Sequence, residues 1–324
     1  LRELILELAV RGKLVPQDAK DEPASVLLER IAEEKAQLIA NKKIKKTKIF
    51  PAIIDEDKSF ELPNGWEWTQ LACITNYVNG YAFKSKDFKD IGVGIIKIGD
   101  IQEGKVATSS MSRVSQEVVD LIDDDFQVLK GDLLIAMSGA TTGKLGFNML
   151  DEIFYLNQRV GKIKSFGVLL EYLYFPLTTK IAENLSKAIG SAIPNISTTQ
   201  INEIVIAVPP LAEQHRIVAK VDELMILCDQ LEQQTEQSQA AHQTLVEVLL
   251  AALLPSTSKS TVGESAVPAE ESFQTSWQRI VEHFDVLFTT EASIDQLKQT
   301  ILQLAVMGKL VSQNPSDEPA SALL

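Results

Sequence analysis

The sequence has 324 residues, a length typical of about two domains, and 45% of them are hydrophobic, which is enough for sizeable cores. With 31 Lys and Arg against 44 Asp and Glu, its formal net charge of −13 disfavours a nucleic-acid partner held by charge alone, since binding phosphates requires cations. Two widely separated cysteines, Cys73 and Cys228, exclude a disulfide framework and a cysteine metal cluster. No apolar run reaches the roughly 18 residues of a membrane span, so we expect a cytoplasmic protein without membrane contact.

The negative charge is concentrated in the C-terminal third. Residues 1–59 carry 12 basic and 11 acidic side chains, residues 60–210 carry 13 and 17, and residues 211–324 carry 6 and 16. Charge on a helical segment is usually a solvated face, so this excess predicts little about partners. The weakly acidic middle can hold DNA locally, with electrostatic help expected from another subunit.

The chain opens with a segment that returns at its other end. Residues 1–28 match residues 297–324 at 18 of 28 positions. Each copy predicts a helix ended by a glycine cap, Gly12 in the first copy, and then a second helix capped by Asp21 with Pro23 in its first turn. The distance between the copies predicts a repeating unit made of a globular domain and a long helix. Because the sequence does not begin with methionine, we expect it to be part of a longer chain.

Residues 1–48 form the predicted N-terminal helical region, whose second helix ends in a lysine run, KKIKKTK. A run of lysines after a helix is typical of a solvated terminus that complements the helix dipole. Contact with a phosphate backbone is the alternative. The lysines of this run are Lys42, Lys43, Lys45, Lys46 and Lys48.

Residues 49–210 predict an α+β domain with mixed or antiparallel strands. Short β-rich runs separated by glycine turns begin near Phe60, and a helical stretch is predicted near 169–188. The domain ends where Pro209 and Pro210 precede a long helical segment.

Residues 211–254 predict one long helix with coiled-coil spacing, because apolar residues recur at alternating steps of four and three. Such a helix, about 60 to 65 Å long, requires a partner helix to cover its stripe. Its polar centre, Thr235, Ser238 and His242, indicates either a register-fixing pair or an irregular, partly wet stretch. The predicted pairing seam consists of Ile217, Val221, Leu224, Cys228, Leu231, Leu245 and Leu249.

Residues 255–276 are polar and poor in large apolar groups, which predicts a flexible linker, and residues 277–324 lead into the second repeat copy.

The sequence contains no catalytic constellation that we can identify, and we predict no enzyme activity, no metal site and no cofactor. GATTGK at 139–144 fails the phosphate-loop pattern because Ser138 replaces the first glycine and Leu145 follows the lysine. It predicts instead a tight turn between strands. The three histidines form no metal or triad pattern.

Polar, glycine-flanked segments in the middle domain carry the side chains that read base edges in DNA. They are NGYAFKS at 79–85, IKIGDI at 96–101, MSGATTG at 137–143, NQRV at 157–160 and GSAIPNIS at 190–197. For any one segment, ordinary turn chemistry remains an equal alternative.

Several motifs make the whole chain resemble the DNA-specificity subunits of type I restriction–modification systems. These motifs are ILELAVRGKLVPQ with DEPAS, LPNGWEW, IGDI, KGDLL, LNQRV, IPNIS and VPPLAEQHRIVAKVDELMILCDQLE. The resemblance implies a non-catalytic subunit in which two recognition domains each read half of a split site and two antiparallel helices hold them apart. It also implies partners: double-stranded DNA, methyltransferase subunits that bring S-adenosylmethionine, and restriction subunits bound through them.

The chain departs from that pattern because it holds one recognition domain. We therefore expect either a self-dimer through residues 211–254 or a continuation of the chain. Two further alternatives stay open, a module detached from a fused restriction–methylation enzyme and a coiled-coil scaffold with an incidental globular insert.

The candidate DNA contacts follow from these segments. The predicted base readers are Tyr81, Lys84, Ser138, Thr141, Thr142, Asn157, Gln158, Arg159 and Asn195. The predicted phosphate contacts are Lys97, Lys144 and the lysine run.

Overall fold

The computed structural model describes residues 1–45, 50–109, 111–187, 195–254 and 269–311, together with Ser316 and Ser321. Its contacts divide the chain into two units, Leu1–Ile226 and Leu227–Leu324. Helices and a mixed sheet system make up the first unit, so the predicted α+β class is confirmed.

The helices of the first unit, in its described residues, are α1 (Arg2–Val10), α2 (Ala24–Ala40), α3 (Leu71–Ile74), α4 (Gln116–Val119), α5 (Leu170–Lys187), α6 (Thr198–Asn202) and the start of α7 (Leu211–Ala251). Its strands are β1 (Glu67–Gln70), β2 (Thr75–Asn79), β3 (Phe88–Lys89), β4 (Val93–Ile96), β5 (Ile101–Gln102), β6 (Gly104–Val106), β7 (Ser112–Val114), β8 (Gln127–Val128), β9 (Leu133–Ala136), β10 (Leu145–Phe147), β11 (Phe154–Leu156), β12 (Val160–Ser165) and β13 (Val205–Val208).

The strands form three sheets, with the orders β2-β12-β9-β10-β6-β5, β3-β7-β4-β11-β8 and β1-β13. The pairs β4–β11 and β6–β10 are parallel and the other pairs are antiparallel, as the predicted mixed arrangement requires. Fully buried strand positions such as Ile96, Leu134 and Leu156 form a shared core. Their near-continuous apolar runs are typical of strands that are covered on both faces.

Local chemistry ends α1 as predicted. Gly12 has a φ of 65°, and the N–H groups of Gly12 and Lys13 donate to the carbonyls of Ala9 and Leu8. This pair of hydrogen bonds is the Schellman arrangement, which favours glycine at the left-handed position.

Buried polar contacts fix the start of α7 to two earlier segments. The buried Glu213 carboxylate accepts hydrogen bonds from Trp66 Nε1 at 3.0 Å and from Gln17 Nε2 at 3.2 Å. The Arg216 guanidinium pairs with the Asp21 carboxylate at 2.5 Å. The predicted cap at Asp21 is therefore wrong: α2 has no side-chain cap, and Asp21 contacts α7 instead. These contacts join the start of α7 to residues 17–21 and to Trp66, which are far from it in the sequence.

The long helix forms as predicted, but its seam is discontinuous. Three predicted seam positions are buried, two are half-buried and two are exposed: Ile217, Val221 and Cys228, then Leu224 and Leu249, then Leu231 and Leu245. Residues 229–241 are exposed, including Thr235 and Ser238 of the polar centre.

Beyond His242 the buried side of α7 departs from the predicted heptad. Val246, Leu250 and Leu253 are buried, whereas the predicted Leu245 is exposed. Val246 and Leu250 each lie one residue after the predicted seam positions Leu245 and Leu249, and Leu253 lies beyond the end of the helix. The buried side has therefore shifted by one residue, because a seven-residue repeat keeps facing one side only on a left-handed supercoil.

The second unit contains the end of α7 with α8 (Ala269–Glu282), α9 (Phe284–Leu287) and α10 (Glu291–Val306). Val246 and Leu250 of α7 share a core with Ile280 of α8 and Leu304 of α10. The predicted linker at 255–276 extends too far, because residues 269–276 are helical; residues 255–268 lie outside the described part. In the described residues, no helix combines the length and apolar character that crossing a membrane requires.

Candidate nucleic-acid interface

Four of the five predicted DNA-contacting segments follow strands that finish at one end of the first unit. Because β4 and β11 are parallel, Lys97 and Asn157 leave the sheet side by side, and the Asn157 N–H donates to the Ile96 carbonyl at 3.0 Å. β9 also finishes here, in the turn at 137–143 that leads into β10.

Backbone contacts join the segment at 79–85 to the segment at 157–160. Tyr81 forms an isolated parallel bridge with Asn157, and the Tyr81 N–H donates to the Leu156 carbonyl at 2.9 Å. A Cβ on Gly80 would lie 2.0 Å from the Asn157 carbonyl oxygen, so this close approach requires glycine.

The turn at 137–143 contacts three other segments. The Met137 N–H donates to the Arg159 carbonyl at 3.0 Å, and Ser138 bridges Asn195. The Thr141 hydroxyl donates to the Ile98 carbonyl at 2.8 Å. The rejection of GATTGK as a phosphate loop is thus consistent with a strand-to-strand turn, which has left-handed glycines at its ends.

One further contact closes the cluster. The Thr198 hydroxyl donates to the Asn79 side-chain oxygen at 3.1 Å, which joins the last segment to the first. Sequence reasoning did not single out either side chain, although Asn79 opens a predicted segment and Thr198 follows another. We call residues 79–85, 96–101, 137–144, 157–160 and 195–198 the five-loop surface. Residues 190–194 of the fifth predicted segment lie outside the described residues.

The exposed side chains of this surface suit base and phosphate contacts. Lys84, Lys144, Gln158, Arg159 and Asn195 are exposed, and Asn157 is half-buried. Arginine presents a planar fork that matches guanine, and asparagine or glutamine can bind adenine in the same bidentate way.

Aromatic packing supports one edge of the five-loop surface. The Tyr81 ring, itself exposed, lies 5.0 Å from the ring of Phe83 and 5.7 Å from that of Phe126, both in edge-on contacts. Such contacts hold the tyrosine in one orientation, with its hydroxyl available as a donor or acceptor.

Three predicted contact residues have side chains engaged within the protein, and a fourth has a buried hydroxyl. Lys97 Nζ lies 3.9 Å from the centre of the Phe88 ring and donates to the Ser112 hydroxyl at 2.7 Å. The Ser138 hydroxyl is buried without a hydrogen-bond partner among the described residues, so it does not face a duplex. The hydroxyls of Thr141 and Thr142 donate to the backbone carbonyls of Ile98 and Gly139.

Asp100 stands behind the five-loop surface as a buried carboxylate. It accepts a hydrogen bond from the Lys97 N–H at 2.8 Å and so shapes the turn that follows β4. Burial raises the pKa of Asp100, and this hydrogen bond and the Lys97 charge oppose the rise. Its role is therefore to hold a loop.

The lysine run lies at the end of α2. Lys42 has a φ of 58°, and the Lys43 N–H donates to the Leu38 carbonyl, so these residues terminate the helix. Lys45 is exposed, whereas Lys46 and Lys48 lie outside the described residues.

Among the described residues, no group of three or more His, Cys, Asp or Glu side chains has an arrangement that could hold a metal ion.

Comparison with known proteins identifies the family of this chain. Residues 63–239 match the family described as the type I restriction modification DNA specificity domain. The entire chain is 40% identical to the specificity subunits of the type I restriction enzymes EcoAI and EcoEI of Escherichia coli, covering 54% and 53% of those proteins. The chain therefore spans about half the length of these relatives. A crystal structure of the HsdS subunit from Thermoanaerobacter tengcongensis aligns with 80% of this chain and 55% of that chain, with 18% identity and a TM-score of 0.41. On the strength of the family match and the two relatives, the chain belongs to the type I restriction–modification DNA specificity family.

Proposed function

We propose that this chain is a non-catalytic reader of one half of a bipartite DNA site, and that it makes its contacts through the five-loop surface. The observation that carries the proposal is the convergence of segments that are separate in the sequence. Backbone bonds hold their polar side chains at one end of a rigid sheet system, as precise recognition requires.

Charge limits how this surface can bind. Lys84, Lys144 and Arg159 are its exposed cations, so about three phosphates can be neutralised and the logarithm of affinity should fall with the logarithm of salt at a slope of about −3. This modest slope fits a reader that receives electrostatic help from other subunits.

The proposed partners are methyltransferase subunits, which bring S-adenosylmethionine, and restriction subunits held through them. In this arrangement the chain positions the partners on DNA and leaves the chemistry to them. Its support is the family relationship, since the relatives named above are subunits of restriction enzymes.

The second half-site requires a second reader, from a second copy or from a continuation of the chain. Support for a second copy comes from α1, where Leu4 is exposed, while its counterpart in the second repeat, Thr300, is buried. A second long helix end could cover this side of α1 as α7 covers α10. Light scattering after size-exclusion chromatography tests this: a strict monomer at micromolar concentration would contradict the dimer.

Selection from a randomised duplex library tests the reading function. We expect enrichment of one short motif, and expect Arg159→Ala and Gln158→Ala each to lose about 1 to 3 kcal/mol of binding energy and to relax one base position. Lys144→Ala should weaken all sequences alike and reduce the salt slope by about 1. Lys20→Ala, an exposed lysine outside the five-loop surface, is the control. Recovery of no preferred sequence would defeat the proposal.

A further inference from the structure

Exposed apolar side chains gather at the opposite end of the sheet system from the five-loop surface. The turn between β8 and β9 (residues 129–132) lies beside the loop between β10 and β11 (residues 148–153), because the Gly131 N–H donates to the Asn148 carbonyl at 2.7 Å. Both segments therefore lie where β9 begins, whereas the five-loop surface lies where β9 ends. The exposed apolar residues here are Leu129, Met149, Leu150 and Ile153, which we call the distal apolar surface.

A groove of about 420 Å³ continues this surface from Ile153. Val119, Ile122 and Tyr155 contribute its apolar lining, and Asp120 and Asp124 line it as well. An open groove beside a cluster of exposed apolar side chains is typical of a protein-binding site, since monomeric proteins rarely expose large contiguous apolar patches.

The charge around the distal apolar surface is negative. Two lysines on this side are paired, Lys130 with Asp151 at 2.9 Å and Lys164 with Asp125 at 2.9 Å, and Lys105 lies opposite Phe147 near the β10–β11 loop. Among the described residues, Asp120, Asp124 and Glu152 form no ion pair. This rim repels phosphate, so DNA is not the occupant, and it attracts a cationic partner.

We propose that the distal apolar surface docks a protein segment with apolar side chains flanked by lysine or arginine. The proposal rests on the function proposed above, in which this partner is the methyltransferase subunit. Its apolar side chains contact Met149 and Ile153, and its cations face Asp120 and Glu152. Because the two surfaces lie at opposite ends of the sheets, the domain binds DNA and this partner together without competition.

The test uses the whole chain and the purified methyltransferase subunit of the same system, with binding measured by calorimetry. Two double variants separate the apolar contacts from the charge. Met149→Glu with Ile153→Glu tests the apolar contacts, and Asp120→Lys with Glu152→Lys tests the charge. Ile54→Glu, at an exposed apolar position away from this surface, is the matched control. DNA affinity is measured on each sample to report that the domain is folded.

We expect both double variants to weaken subunit binding at least tenfold and the control to leave it unchanged. DNA affinity of the apolar double variant should match that of the unaltered chain. If the apolar double variant also loses DNA binding, the charge-reversal pair, which replaces only exposed side chains, decides the question.

Subunit affinity within twofold of the unaltered chain in both double variants would overturn the docking site and leave the proposed function standing. Self-association of the unaltered chain that disappears in the same variants would assign the surface to a second copy and also overturn the proposal. If the unaltered chain fails to bind the subunit, both this site and the scaffolding role are wrong, whereas DNA selection still reports on reading.

Discussion

The two copies of the terminal repeat share most of their sequence, but they bury different sides of the first helix. In the first copy Ala9 is 0% exposed and Leu1 is 76% exposed; in the second, the counterpart of Leu1, Leu297, is 8% exposed. The counterpart of Ala9, Ala305, is exposed, and the adjacent Val306 is 89% exposed. A helix with a wide apolar stripe can therefore pack on either side, and the elements around it decide which.

The C-terminal ends of the two helices, by contrast, have the same backbone geometry. Gly308 has a φ of 67°, close to the 65° of Gly12, and the N–H groups of Gly308 and Lys309 repeat the hydrogen bonds made by Gly12 and Lys13. A helix end is determined by its own few residues, whereas the buried face depends on distant ones.

The largest expected difference between the copies is at Leu304 and its counterpart Leu8. Leu304→Ala removes a side chain from the core of the second unit and should cost about 2 to 5 kcal/mol. Leu8→Ala removes a half-buried side chain and should cost about 1 kcal/mol. Hydrogen exchange followed by mass spectrometry reads each unit separately. Equal losses would mean that the copies are packed alike.

The next difference concerns the shared helix end. Gly308→Ala should cost about 1 to 2 kcal/mol, because a Cβ is disfavoured in the left-handed region. Gly12→Ala should cost more, since its Cβ would lie 2.5 Å from Pro63 Cγ and 2.8 Å from the Trp66 ring. The same exchange measurement compares the two. A smaller loss at Gly12 would contradict the close packing of the first copy.

A smaller effect is expected when the small residue of the helix is enlarged. Ala9→Leu places three additional carbons in a filled site and should cost about 1 to 3 kcal/mol. Ala305→Leu enlarges an exposed side chain and should change stability by less than about 0.5 kcal/mol. Thermal unfolding of the two variants beside the unaltered chain provides the measurement, and a neutral Ala9→Leu would show that its site is not filled.

The features that the sequence could predict are those that depend on nearby residues, and the features that it missed depend on distant ones. The glycine-capped helix end at Gly12, the α+β class and the strand-to-strand turn at 139–144 depend on nearby residues, and the structure agrees with these predictions. The predicted cap at Asp21 failed because its carboxylate pairs with Arg216, which is distant in the sequence. The five polar segments could be named from their composition. Their convergence could not, because it depends on the parallel pairing of β4 with β11, which joins residues about 60 positions apart. Whether these loops contact DNA remains a prediction.

The seam of α7 shows how a local pattern fails over a long distance. Its heptad holds at Ile217, Val221 and Cys228, but by Leu245 it has drifted onto the exposed side. A fixed seven-residue repeat shifts by about 20° per heptad on a straight helix, so the error grows with length. The heptad prediction assumed a partner helix that supercoils with α7. The helices of the second unit cover the end of α7 instead, and they bury Val246 and Leu250.

The smallest expected effect is a pH dependence confined to the first copy, where Gln17 and Asp21 contact α7. Burial raises the pKa of Glu213, with a small contribution from Asp21, against the hydrogen bonds from Trp66 and Gln17 and the charge of Arg216. A carboxyl with a raised pKa in the folded state binds its proton more tightly there than in the unfolded chain. Its stabilising contribution is complete below the usual glutamate pKa of about 4.3 and is lost as pH rises through the higher folded value.

Stability of the first unit should therefore decline over that acidic interval, and Glu213→Gln should flatten the decline. The glutamine amide does not titrate, and its oxygen accepts one of the two N–H donors, as the protonated carboxyl does, so the variant lacks this contribution to the slope. Denaturant unfolding from pH 4 to pH 7, with exchange in the second unit as an internal reference, measures the slope. An unchanged slope in Glu213→Gln would mean that this carboxylate is solvated well enough to titrate as it does in the unfolded chain, and the junction with the first copy would then be more open than its hydrogen bonds indicate.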